Sequence, residues 1–93
     1  MKPDGKLAIQ MIRKCLNNEI SDEELSKWAF DGWYYYMEGK GKNMTPPKIL
    51  MDVLLDIDAQ WEIITSQKKD KPGIPKTWLE EWLKKLGNIK KVN

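Results

Sequence analysis

"PPKILMDVLLDIDAQWEIIT", residues 46–65, carries the longest regular apolar pattern in the chain. Ile49, Leu50, Val53, Leu54, Ile57, Trp61 and Ile64 recur at intervals of three or four residues, the spacing that lines one face of an α-helix. Thr45 offers a cap, and Pro46 suits a first helical position, where its missing N–H costs nothing. The stretch therefore predicts a helix over residues 46–65 with a core stripe along its length. A helix with one apolar face is stable only when other elements cover that face.

Three further helical patterns supply the cover. Residues 6–17 place Ala8, Met11, Ile12, Cys15 and Leu16 on one side, opposite Gln10, Arg13, Lys14 and Asn17, and the pair Asn17–Asn18 suits a C-cap. Ser21-Asp22-Glu23-Glu24 reads as a capping box, with Ile20 and Leu25 placed as a hydrophobic staple. It opens a helix over residues 22–38 that ends at Gly39, and "GKGKNM", residues 39–44, is expected to be a flexible loop. After the polar loop "SQKKDKPG", residues 66–73, either Pro75 or a Thr77 cap opens a helix over 76–86. Its stripe is Trp78, Leu79, Trp82, Leu83 and Leu86, and Gly87 stops it. Strand signals are almost absent. The fold class expected is all-α, a compact four-helix bundle with helices at about 6–17, 22–38, 46–65 and 76–86. Residues 1–87 form a single domain, and 88–93 a frayed basic tail.

Composition agrees with one small domain, since 93 residues with 41% hydrophobic content and five Trp suffice for a core without staples. The single Cys15 excludes an internal disulfide, which favours a reducing compartment. Gln10, Arg13 and Lys14 interrupt the first apolar run, so no secretory leader is expected. No stretch approaches the roughly 18 apolar residues of a membrane span. A cytoplasmic protein is the expectation. The net charge of +2 conceals an uneven distribution: residues 19–62 hold ten acids against four bases, whereas 63–93 hold eight bases against three acids.

"DGWYYYMEG", residues 31–39, sets four large aromatics in succession, which sweep most of the way round a helix. Stepping about 100° per residue puts Leu25, Ala29, Gly32 and Tyr36 on one face, with Trp28, Trp33 and Tyr35 flanking it. Gly32 in that face implies the close approach of another segment, and Trp28, Trp33 and Tyr36 are expected to be core. Tyr34 points the opposite way, with Phe30 and Met37 one turn to either side and Glu23, Lys27, Asp31 and Glu38 around them. An exposed aromatic anchor ringed by charge has the composition of a protein-binding hot spot. The alternatives are that the second helix is central and buried on both sides, or that this face is covered by the 39–45 loop. Asp52 and Asp56, one turn apart on the third helix, and the pair Asp58 and Glu62 make a second acidic surface.

The residues argue against enzyme classes. The chain has no His, the commonest general base and metal ligand, so neither a catalytic site, a cofactor nor a metal is expected. Cys15 lies on an apolar stripe and is expected to be an inert core thiol. The Lys-rich loop 68–71 and tail 84–91 could touch phosphates, yet fifteen Lys against one Arg is a poor endowment for reading bases.

"LNNEISDEELSKWA", residues 16–29, resembles a segment recurring in small helical bacterial proteins, some of them from toxin–immunity or prophage loci. The overall plan is similar to that of the immunity proteins of nuclease colicins, small four-helix domains in which an acidic helix and adjacent tyrosines grip a basic nuclease. The resemblance implies a protein partner met by Tyr34 and Tyr35 with Asp31 and Glu38. Two departures are that these tyrosines lie within a helix with no following Pro, and that the third helix is long. The function expected is a small module that binds a basic protein, as an immunity-type inhibitor of a toxin would. Phe30, Tyr34 and Met37 would anchor the contact, and Asp31, Glu38, Asp52 and Asp56 would steer it. The alternatives are a phage-type or regulatory protein associated with nucleic acid, and a homodimer or larger homo-oligomer that uses the aromatic patch as its seam.

Overall fold

A computed structural model describes residues 3–67 and 72–87. Four helices account for the regular structure, with no strand among the described residues: α1 (Gly5–Leu16), α2 (Asp22–Met37), α3 (Lys48–Ser66) and α4 (Lys76–Gly87). The Lys-rich loop 68–71 and the tail from residue 88 lie outside the described residues.

The helix ends follow local chemistry. Asp4 caps α1, its Oδ1 accepting the Leu7 N–H at 2.8 Å. At the other end Asn18 takes φ 61°, a left-handed conformation that Asn tolerates better than most side chains. The Asn18 N–H then reaches the Cys15 carbonyl and the Glu19 N–H the Lys14 carbonyl, the paired bonds of a Schellman ending. At α2 both halves of the capping box form: Glu24 N–H to Ser21 Oγ at 3.0 Å, and Ser21 N–H to Glu24 Oε1 at 3.1 Å. The start of α3 differs from expectation. Thr45 does not cap it and Pro46 is not its first residue; Pro47 is the N-cap, with no side-chain bond, and Lys48 begins the helix. The cause is the doubled proline: Pro46 precedes Pro47 and is pushed out of the helical region, so it cannot be the first helical residue, and the cap moves on from Thr45 to Pro47. At α4 the Pro75 carbonyl accepts from the Trp78 and Leu79 N–H groups, so Pro75 rather than Thr77 sets the start.

Shared neighbours give the topology. Gly32 of α2 faces Leu54 of α3, Tyr36 and Leu50 border one cleft with Asp4 and Gly5, and Trp61 borders another at the opposite end with Cys15 and Ser21–Glu23. Ile74 bonds to Asp22 at that same end, while Trp82 lies beside Asp56. Each helix therefore runs antiparallel to the one before it, in the up-down-up-down order that short connections favour. α2 packs most extensively on α3, and α1 on α4. The centre is filled by Ile12, Leu25, Leu50, Val53, Leu54, Ile57 and Leu86, all essentially inaccessible.

Close approach at Gly32 is made from two sides: a Cβ there would lie 3.1 Å from Pro3 Cβ and 3.4 Å from Leu54 Cδ1. Tyr36 belongs to the same junction, its hydroxyl donating to the Pro3 carbonyl at 3.0 Å. Burial, with Asp4 and Tyr35 nearby, pushes this phenol above its ordinary pKa. The 39–44 loop is more ordered than its glycines imply. It turns back over Tyr35, with Gly41 N–H on the Tyr35 carbonyl and Met44 N–H on the Gly41 carbonyl. Gly41 lies against the Tyr35 ring so closely that a Cβ would collide with it.

Of the aromatics expected in the core, Tyr36 is buried, Trp28 and Trp33 are half-buried against it, and Trp78 is exposed. The Trp28 indole N–H is itself buried and meets no acceptor among the described residues. A desolvated donor without a partner costs about 1–3 kcal/mol, which offsets the packing lost in a smaller ring. Trp28→Phe is therefore expected to leave the free energy of unfolding within about 1 kcal/mol of wild type in a urea titration. A much larger loss would show that the indole N–H is satisfied in solution.

Candidate protein-binding surface

The capping box starts α2, which buries Leu25, Ala29, Gly32 and Tyr36 against the bundle, and the opposite face emerges as an aromatic ridge. Phe30, Tyr34 and Met37 are 45%, 47% and 53% exposed. Phe30 and Tyr34 stack with ring centroids 6.5 Å apart, and Phe30 leans on the half-buried Trp33 at 6.2 Å. Neighbouring rings that already touch restrain one another's rotamers, so a partner immobilises less on docking. The 39–44 loop covers Tyr35 and leaves Tyr34 open.

Asp31 and Glu38 are exposed on the same helix, together with Glu23, Glu24 and Lys27. The last turn of α2 carries no basic residue. The acids of α3 are divided. Asp52 is exposed. Asp58 is half-buried, and burial, reinforced by Glu62, lifts its carboxyl above the usual range. Asp56 faces α4, where Oδ2 accepts the Trp82 indole N–H at 2.8 Å. It lines a groove of α3 and α4 residues, none of them from α2. The structure thus gathers Phe30, Asp31, Tyr34 and Met37 on α2 with Glu38 as its C-cap, and sets Asp56 on a different surface. A further apolar row lies along α3, where Leu55 and Ile63 are exposed two turns apart with half-buried Ala59 between them.

Asp22 has a position that its place in the sequence does not announce. Beyond its first-turn charge it joins three segments, because Oδ1 accepts the Cys15 thiol at 2.9 Å and Oδ2 accepts the Ile74 N–H at 2.7 Å. Burial, then the bond to Asp22 and its charge, pushes the Cys15 thiol up to about 12, so it stays a protonated donor and a poor nucleophile. No cluster of metal-ligating side chains occurs among the described residues. Among them, too, no helix is long and apolar enough to cross a membrane.

Fold and surface together define an all-α four-helix bundle with an exposed aromatic ridge on its acidic second helix. Comparisons of the chain with family models, with characterised proteins and with solved structures each give no match.

Proposed function

We propose that the protein is a protein-binding module whose α2 face docks a basic protein, most concretely as an immunity-type inhibitor of a basic toxin. The observation that carries this reading is the ridge of Phe30, Tyr34 and Met37, each about half exposed, set among Glu23, Asp31 and Glu38. The rings supply contact area at small entropic cost, and the acids speed encounter with a positive surface. Charge also argues against self-pairing. Two copies meeting through this face would bring acid against acid, with Lys27 the one base on α2 itself to relieve it.

Tyr34→Ala is expected to weaken the complex by roughly 30-fold, the effect of losing a hot spot of about 2 kcal/mol. Because the side chain is half exposed, the melting temperature should move by no more than a few degrees. The test is capture from a lysate of the native host on wild type and on the variant, with the retained protein identified and its toxicity measured with and without this chain. A basic toxin held by wild type, released by the variant and neutralised by the module supports the reading. Retention of nucleic acid alone, or of further copies of this chain, replaces it with the regulatory or homo-oligomeric one. A large fall in melting temperature would instead place Tyr34 in the core and remove it from the site.

A further inference from the structure

A second surface lies between α3 and α4. It is a solvent-open groove of about 340 Å³ lined by Asp56, Gln60, Trp78, Glu81, Trp82 and Lys85. Its floor is fixed. The Trp82 indole, only 2% exposed, donates to Asp56 Oδ2 at 2.8 Å and so sets the direction of the carboxylate. The other oxygen, Oδ1, receives among the described residues only the Gln60 amide at 3.5 Å, at the outer limit of hydrogen bonding. Gln60 turns its NH₂ to Asp56, which leaves its carbonyl oxygen able to accept. One wall is Trp78, a large ring 38% exposed. Glu81 stands at the rim, and its one ionic neighbour among the described residues is Lys84 at 4.0 Å. No cation among the described residues pairs with Asp56.

These features converge on one ligand chemistry. Two carboxylates and an amide oxygen repel anions and attract a cation with several donors. A flat indole beside them favours a planar, weakly hydrated cation over a compact ammonium, because a guanidinium can stack on the ring while its edge donates. The groove's openness matters too. A free small molecule needs most of its surface buried to bind well, whereas a side chain delivered on a larger partner draws on contacts elsewhere. We propose that this groove receives an arginine side chain of a protein partner, with Asp56 and Glu81 pairing the guanidinium and Trp78 covering its face. Lys85 also lines the groove, and its charge opposes the entry of a second cation without pairing with either carboxylate. The proposal is independent of the α2 ridge, since no groove residue belongs to that helix.

The experiment uses the whole chain, labelled with ¹⁵N, and follows the five tryptophan indole signals during titration. The probes are N-acetyl-arginine amide, N-acetyl-lysine amide, the neutral isostere N-acetyl-citrulline amide, and guanidinium chloride. The arginine probe should move the Trp78 and Trp82 signals saturably, the lysine probe more weakly, and citrulline not at all. Asp56→Asn keeps an acceptor for Trp82 but removes the charge, and should weaken arginine binding by about 5-fold or more. Lys85→Ala should strengthen it by roughly 2- to 3-fold, and Tyr34→Ala should leave it unchanged. Equal shifts with arginine and citrulline, or undiminished binding to a folded Asp56→Asn, would overturn the proposal. Guanidinium chloride should move the same two signals, since it carries the group that the groove receives, and no shift with it where the arginine probe binds would overturn the assignment. Loss of arginine binding in Tyr34→Ala would show that the two surfaces are one and sink the claim of independence.

Discussion

Trp82→Ala is expected to lower the free energy of unfolding by about 3–5 kcal/mol, the range for deleting a buried aromatic side chain. For a domain of this size that corresponds to a fall in melting temperature of roughly 15–30 °C. Two causes act together. The indole is almost wholly buried between α4 and the core, so its removal leaves a cavity as well as losing burial. Its N–H also holds Asp56 Oδ2, and the half-buried carboxylate is left with the long bond to Gln60 alone. Trp82→Phe separates the two by keeping most of the ring while deleting the donor, and should cost about 1–3 kcal/mol. A double-mutant cycle with Asp56→Ala, read by denaturant titration, should give a coupling of roughly 1 kcal/mol. Strictly additive effects would mean that the indole–carboxylate bond contributes nothing in solution. Trp28 makes the contrast. One indole N–H is tied across two helices, the other meets no acceptor among the described residues, and the same substitution should therefore be costly at one and nearly neutral at the other.

Asp22→Asn is expected to destabilise by about 2–3 kcal/mol, or roughly 10–20 °C in melting temperature, although the two side chains have the same shape. Asp22 accepts on both oxygens, from the Cys15 thiol and from the Ile74 N–H. An amide has one acceptor and one donor group, so its NH₂ meets either the Ile74 N–H, a donor, or the Cys15 sulfur, a weak acceptor at best. The substitution also removes a negative charge from the first turn of α2, where it complements the helix dipole. Cys15→Ala should cost less, because it deletes a weak donor and leaves the bond to Ile74 in place. Thermal melts of the two variants decide the point. If Asp22→Asn melts within a few degrees of wild type, the link from the start of α2 to the segment before α4 is not formed in solution.

Local rules reach a long way in this chain. The number of helices and the ends of α1 and α2 follow from bonds between residues a few positions apart, such as the capping box at Ser21 and the left-handed Asn18. Periodicity also turns Phe30, Tyr34 and Met37 away from Leu25 and Tyr36, whereas it is the packing that leaves this other side open to solvent. The start of α3 departs from expectation for a local reason as well: Pro46 fits a first helical position only when no second proline follows it.

Pairings between distant segments were decided by tertiary structure alone. Asp22 and Ile74 stand 52 positions apart and Asp56 and Trp82 stand 26 apart, and no pattern in the chain marks either pair. Helical periodicity says which way a side chain faces but not which helix stands opposite. For that reason periodicity makes Asp56 a solvated acid beside Asp52, Trp78 a core residue, and the glycines of residues 39–44 the hinges of a flexible loop. In the folded protein α4 takes Asp56, the α3–α4 groove leaves Trp78 open, and the glycines let the loop lie down on Tyr35. Sequence alone determined the four helices and the direction in which each turns its apolar side, because those depend on neighbours along the chain. Only the packed bundle decided which acids are free to meet a partner, because that depends on neighbours in space.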